Sequence, residues 1–213
     1  MAALRTGAPD RTQGAIIAGG RATRMGGRPK GLERVGGVRM LDRLVAVFEE
    51  ALGTRPILVA NAEDAPTWRP DLRVVPDIRP GTGALGGIYT ALLSAAAPVV
   101  TVAWDMPFVT APLLQALAAG LEDGDACLPE SGGPRGVEPL CAAYGPACGP
   151  AIAAALDAGD LRAIGFHDRL KVGILSSRRL REFGDPEVLF FNVNTADELA
   201  EANRLWRTRG SSR

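Results

Sequence analysis

The chain has 213 residues, 46% hydrophobic and 23% charged, the make-up of one globular domain with a sizeable core. Its 24 basic residues are matched by 24 acidic ones, which excludes a general nucleic-acid binder and a polybasic membrane adaptor. Three cysteines, Cys127, Cys141 and Cys148, form no CxxC pair; they exclude a disulfide scaffold or zinc module and point to a reducing compartment, the cytoplasm.

Residues 1–13 carry Arg5, Asp10 and Arg11 and no apolar run, so no secretory leader is expected. Residues 14–18 form a short apolar run stopped by Gly19 and Gly20, which reads as a buried strand. Leu41, Leu44, Val45, Phe48 and Leu52 recur at helical spacing, with Gly53 as the expected cap. Strands are expected at 56–60 and 72–75, a helix at 87–97 and a strand at 99–103. A helix opened by Pro112 then spans 112–121, followed by strands at 125–128 and 137–143. Helices at 151–158 and 161–170, and strands at 172–175 and 189–193, complete the series. Thr195 and Glu198 have capping-box spacing and open a last helix through Trp206; 208–213, like 1–12, read as a flexible end. Alternating strands and helices predict an α/β fold, a mostly parallel sheet covered on both faces, as one domain over 1–213. Ligands of such sheets bind at the carboxyl ends of the strands.

After the first strand, Gly19, Gly20, Gly26, Gly27 and Gly31 alternate with Arg21, Arg24, Arg28 and Lys30, and no acid intervenes between Asp10 and Glu33. Glycine lets backbone amides wrap an anion, and Arg and Lys add charge, so the loop reads as a polyphosphate cradle; the bland alternative is a basic surface loop. It is not a P-loop, since Gly31 and Leu32 follow Lys30. Between Pro80 and Leu121 Asp105 is the one charged residue, at the end of the 99–103 strand. A buried carboxylate needs compensation: a bound cation such as Mg²⁺, or pairing with Arg24, Lys30 or backbone amides. Asp77 follows the third strand, where a carboxylate can cap local turn amides. Gly81, Gly83 and Gly86 spell GxGxxG, but 76–80 separate them from the strand, which argues against a dinucleotide fold. His167 and the three cysteines have no matched partners and read as packing residues, as do Trp68 and Trp206.

Taken together, Ile17-Ala18-Gly19-Gly20, Arg24-Met25-Gly26-Gly27 with Lys30-Gly31-Leu32, residues 77–88, Trp104-Asp105-Met106-Pro107-Phe108, Glu138-Pro139-Leu140-Cys141 and Asn192-Val193-Asn194-Thr195 resemble the motif series of the molybdenum cofactor guanylyltransferases. The resemblance spans about 14–205 and implies a three-layer nucleotidyltransferase fold. It implies transfer of GMP from GTP to the terminal phosphate of molybdopterin, with release of pyrophosphate and with Mg²⁺ as cofactor. Carried over residue by residue, it places Ile17, Ala18, Gly19, Gly20, Lys30, Asn61, Asp77, Gly83, Gly86 and Asp105 on GTP and Asp105 on the metal. Lys30, Arg24 and Asp105 then carry catalysis, and Glu138, Asn192 and Asn194 face molybdopterin. Implied partners are GTP, molybdopterin and, transiently, molybdenum-insertion proteins or molybdoenzyme chaperones, with no nucleic acid and no membrane. Pro29, Ala84 and Trp104 depart from the family's usual acid, Pro and Cys. Rival readings are a cytidylyltransferase for the same cofactor, a sugar-phosphate nucleotidyltransferase and a non-catalytic nucleotide-binding or cofactor-carrier protein. The Gly19-Gly20 pair and the Gly86-Gly87 loop favour the guanylyl branch.

Overall fold

The structure, a computed structural model, describes residues 12–19, 24–25 and 28–210. Seven strands form one sheet: β1 (Gln13–Ile17), β2 (Ile57–Val59), β3 (Val74–Val75), β4 (Val99–Ala103), β5 (Ala126–Pro129), β6 (Cys141–Tyr144) and β7 (Val172–Leu175). Their order is β7-β5-β6-β4-β1-β2-β3. β1 pairs in parallel with β2 and β4, β2 with β3, and β5 with β7; β6 runs antiparallel to β4 and β5. The longer helices among the described residues are α1 (Met40–Leu52), α2 (Gly83–Ala95), α3 (Ala111–Ala119) and α4 (Cys148–Asp157), which cover the sheet, and α5 (Ala196–Gly210).

The period-two alternation of the strands divides their side chains between two layers. Ile16, Val100 and Val102 pack with Leu41, Leu44 and Phe48 of α1 and Leu113, Leu114 and Leu117 of α3. Ala15, Ile17, Val59 and Val99 pack with Leu85 and Ile88 of α2 and Ile152 and Leu156 of α4. Every residue of β4 is buried, as a strand covered on both faces requires. A third cluster, Val35, Met40, Phe108, Val193 and Ala202, docks α5 beside the carboxyl end of the sheet. Among the described residues no helix is long and apolar enough to cross a membrane.

The ends of α1, with Gly53 left-handed at φ 68° as its cap, and of β4 and β7 fall where the sequence places them. Elsewhere the expectations need correction. The helix expected at 161–170 shrinks to one 3-10 turn, His167–Arg169. The Asp160 carboxylate there accepts the Arg162 amide at 3.1 Å and its guanidinium at 2.7 Å, local bonding that competes with a helix. The strand expected at 189–193 is absent. Asp185 caps a short helix, Pro186–Leu189, and the chain then turns at Phe190 and runs without regular structure to Val193, whose amide donates to the Asp105 carbonyl at 2.9 Å. That segment closes over the strand ends instead of joining a ladder. Of 137–143 only 141 onward joins the sheet, because Pro139 interrupts it; Val137 makes a lone bridge to Glu130. The helix expected at 87–97 begins at Gly83 and ends at Ala95, the strand expected from 72 starts at Val74, and the helix expected from 151 starts at Cys148. α5 continues to Gly210, so 208–210 are helix and not a tail.

Candidate active site

The carboxyl ends of β1, β2 and β4 lie side by side, and the candidate residues follow each strand in turn. After β1, the Ala18 amide donates to the Val59 carbonyl at 2.8 Å, and Gly19 is exposed with no atom within 4 Å of where a Cβ would stand. Gly20 lies outside the described residues. Arg24 opens a two-residue ribbon, Arg24–Met25 against Arg28–Pro29, but its side chain is outside what the structure describes. Pro29 ends that ribbon and caps the 3-10 turn Lys30–Leu32.

That turn delivers Lys30 inward. Its Nζ lies 2.5 Å from Asp105 Oδ2 and 2.8 Å from Asn194 Oδ1. Lys30 and Asp105 are each 6% exposed. The compensation foreseen for the isolated aspartate is thus an ion pair with Lys30. It covers only half of the carboxylate: Asp105 Oδ1 is buried and has no hydrogen-bond partner among the described residues. Trp104, the departure next to it, packs its ring directly over Gly31, where a Cβ would collide, and stacks on Trp68 at 5.2 Å. A buried aromatic pair therefore fixes the backbone on either side of the ion pair, at Gly31 and at Trp104.

The ends of β2 and β3 carry a second pair. Asn61 Nδ2 donates to Asp77 Oδ2 at 2.6 Å, and the Asp77 amide donates to Asn61 Oδ1 at 2.7 Å. Asp77 Oδ1 is buried without a partner among the described residues. The Ile78 amide donates to Thr90 Oγ1 at 2.9 Å, which ties this loop to α2. Gly83 and Gly86, expected in a loop, lie in the first turn of α2. Gly83 has φ 64°, and a Cβ on Gly86 would collide with the Thr82 hydroxyl. Ala84, another departure, packs against the cluster under α2. The literal GxGxxG is therefore a helix entry, not a strand-to-helix dinucleotide turn.

The three residues expected on the acceptor side separate. Glu138 and Asn192 line a cavity of about 850 Å³ together with Ser131, Ser177, Arg181 and Phe190. Asn192 Nδ2 donates to the Phe190 carbonyl at 3.0 Å, and Glu138 Oε1 accepts the Leu140 amide at 3.1 Å. Burial raises the Glu138 carboxyl above its ordinary value, against the opposing Leu140 amide and Arg135 charge. Asn194 instead belongs to Lys30. Ser131, Ser177 and Arg181 are residues that sequence reasoning did not reach; the Gly132-Gly133-Pro134 turn just beyond β5 was the available signal.

His167 is half-buried and edge-on to Phe166 at 4.7 Å. All three thiols are free and buried, and burial pushes Cys127 up to about 11 and Cys148 up to about 12, which disfavours the thiolate. Among the described residues no cluster of three or more His, Cys, Asp or Glu could hold a metal by itself.

A family model described as "MobA-like NTP transferase domain" matches residues 14–171. The chain is 37% identical over 190 residues to a "Probable molybdenum cofactor guanylyltransferase" of Pelotomaculum thermopropionicum, covering 89% of this chain and 90% of that one. It is 31% identical over 195 residues to a "Molybdenum cofactor guanylyltransferase" of Desulfosudis oleivorans, covering 91% and 95%. Among solved structures, molybdopterin-guanine dinucleotide biosynthesis protein A of Archaeoglobus fulgidus superposes with a TM-score of 0.75 at 25% identity, covering 92% of this chain and 100% of that one.

Proposed function

The chain belongs to the MobA-like NTP transferase family, and we propose that it transfers GMP from GTP to the terminal phosphate of molybdopterin, forming molybdopterin guanine dinucleotide and releasing pyrophosphate. The observation that carries this reading is the buried Lys30–Asp105 pair at the carboxyl ends of β1 and β4, with one carboxylate oxygen left free.

An oxygen of the acceptor phosphate attacks the α-phosphorus of GTP, and the bond from that phosphorus to the bridging oxygen of pyrophosphate breaks. The nucleophile is anionic near neutral pH, so no strong base is needed, in keeping with His167 packed on Phe166. The obstacle is the meeting of two anions while charge grows on the leaving group. Lys30 offers a fixed positive charge for it, and the Ala18–Gly19 backbone with its open approach offers room for phosphate oxygens. Asp77 and Asn61, locked together, present Asp77 Oδ1 as a hydrogen-bond acceptor for the nucleoside.

Asp105 Oδ1 fits a divalent cation, which we take to be Mg²⁺: one protein carboxylate, with phosphate oxygens and water as the other ligands, is the habit of that ion. Bound there, it would neutralise phosphate charge as a Lewis acid. The cavity lined by Glu138, Arg181 and Asn192 is where we place molybdopterin. A cytoplasmic location and transient contact with molybdenum-insertion proteins or molybdoenzyme chaperones belong to the same proposal.

A thermal-shift series with Mg²⁺ and each of GTP, CTP, ATP and UTP tests the nucleotide assignment. GTP is expected to raise the midpoint most; a larger shift with CTP would move the protein to cytidylyl transfer.

A further inference from the structure

We propose that Glu198 is a positioning residue for the transfer reaction, acting through Asn194 on Lys30; this rests on the role given to Lys30 above. An ammonium has three donors. On Lys30, one points to Asp105 Oδ2 and one to Asn194 Oδ1. With two directions set, tetrahedral geometry sets the third, the one available to a phosphate oxygen. The aim of the lysine thus depends on where residues 193–195 hold the Asn194 amide.

That stretch is pinned from both sides. The Val193 amide donates to the Asp105 carbonyl at 2.9 Å. On the other side Glu198 Oε2 accepts the Asn194 amide at 2.7 Å and the Thr195 amide at 2.9 Å. An ordinary capping box needs only the bond to the cap residue Thr195, whose Oγ1 in return accepts the Glu198 amide at 3.2 Å. The bond to Asn194 is additional, and it falls on the residue that holds the lysine. Glu198 sits on α5, whose Ala202 and Trp206 pack in the third cluster, so the carboxylate is carried on a docked helix.

The chain has only two lysines, Lys30 and the exposed Lys171, so ¹⁵N spectra of lysine-labelled protein report on Lys30 with one companion signal. In the wild type the Lys30 ammonium is expected as a protected resonance, identified by its loss in Lys30→Met. Glu198→Ala is expected to broaden or shift it and to lower kcat for pyrophosphate release about tenfold, with KM for GTP changed less than about twofold, as for a misaimed group. Glu198→Gln, which keeps the acceptor, restores the signal and at least half of kcat. Thr195→Ala removes the other half of the helix cap and leaves the signal in place. Equal effects of Glu198→Ala and Thr195→Ala on signal and kcat would reduce Glu198 to a helix cap and overturn the proposal. If Glu198→Ala does not fold, Glu198→Gln and Thr195→Ala decide: loss of the Lys30 signal in both, or in neither together with an unchanged signal in Asn194→Ala, overturns it. A wild type that makes no dinucleotide but whose Lys30 signal depends on Glu198 supports the positioning and overturns only the transfer reading.

Discussion

Lys30 Nζ lies 2.5 Å from Asp105 Oδ2 across 75 residues of sequence, and both side chains are more than nine-tenths buried. Removing one member of a buried pair strands the other charge, at a cost of about 3–5 kcal/mol. Asp105→Ala is therefore expected to abolish turnover and also to lower the unfolding free energy by roughly that amount. The double variant Lys30→Met with Asp105→Leu should recover most of the stability and none of the activity. Denaturant unfolding and pyrophosphate release, measured on the same samples, check both parts. Near-normal turnover of Asp105→Ala with Mg²⁺ would remove Asp105 from the chemistry.

Gly19 separates a structural from a functional glycine. Its φ is not left-handed, and nothing lies within 4 Å of an added Cβ. Gly19→Ala should therefore leave stability within about 0.5 kcal/mol of wild type. It should nonetheless weaken GTP by at least about tenfold, because the methyl stands where phosphate oxygens must approach the amides. Calorimetric titration with GTP distinguishes the cases; unchanged affinity would mean that the nucleotide does not come to this loop.

The pair of Asn61 and Asp77 is the expected reader of the nucleoside. A charge-assisted hydrogen bond is worth about 1.5–3 kcal/mol, so Asp77→Asn should weaken GTP by roughly ten- to a hundredfold. Asn61→Ala should do the same less severely, since it leaves the carboxylate in place but unlocked. Calorimetry on both variants checks the order of the two effects.

Much of this arrangement was legible in the sequence because it depends on local patterns. The apolar runs before Gly19 and Asp105 are buried strands, and both residues stand at their carboxyl ends. The Thr195–Glu198 box opens α5. What was not legible depends on contacts made across the chain. Nothing local shows that Asn194, grouped with the acceptor-side residues, would turn to Lys30, 164 residues away. Nor does any short-range signal show that Trp104 would be accommodated by Trp68 and by the missing Cβ of Gly31. The segment 189–193 has strand-like residues, but the sheet is completed without it and the Asp105 carbonyl captures its end.

Glu138 makes stability depend on pH. Burial raises its pKa in the folded state, so the folded protein binds more protons than the unfolded one between the ordinary carboxylate range and the raised value. Stability contributed by this group therefore falls as pH rises through that window and stays low above it. Glu138→Gln is expected to flatten that part of the curve and to raise stability at neutral pH relative to wild type. Urea unfolding between pH 4 and 8 measures it; an unchanged slope would mean that Glu138 is not held in a desolvated site.

The most direct test of the whole account is a single-turnover reaction of the protein with GTP, Mg²⁺ and molybdopterin, in which dinucleotide and pyrophosphate are both quantified. The account predicts that the two products appear in equal amounts, only when GTP and the acceptor are both present, and that CTP does not substitute. GTP binding without pyrophosphate release, or faster product formation from CTP, would contradict it.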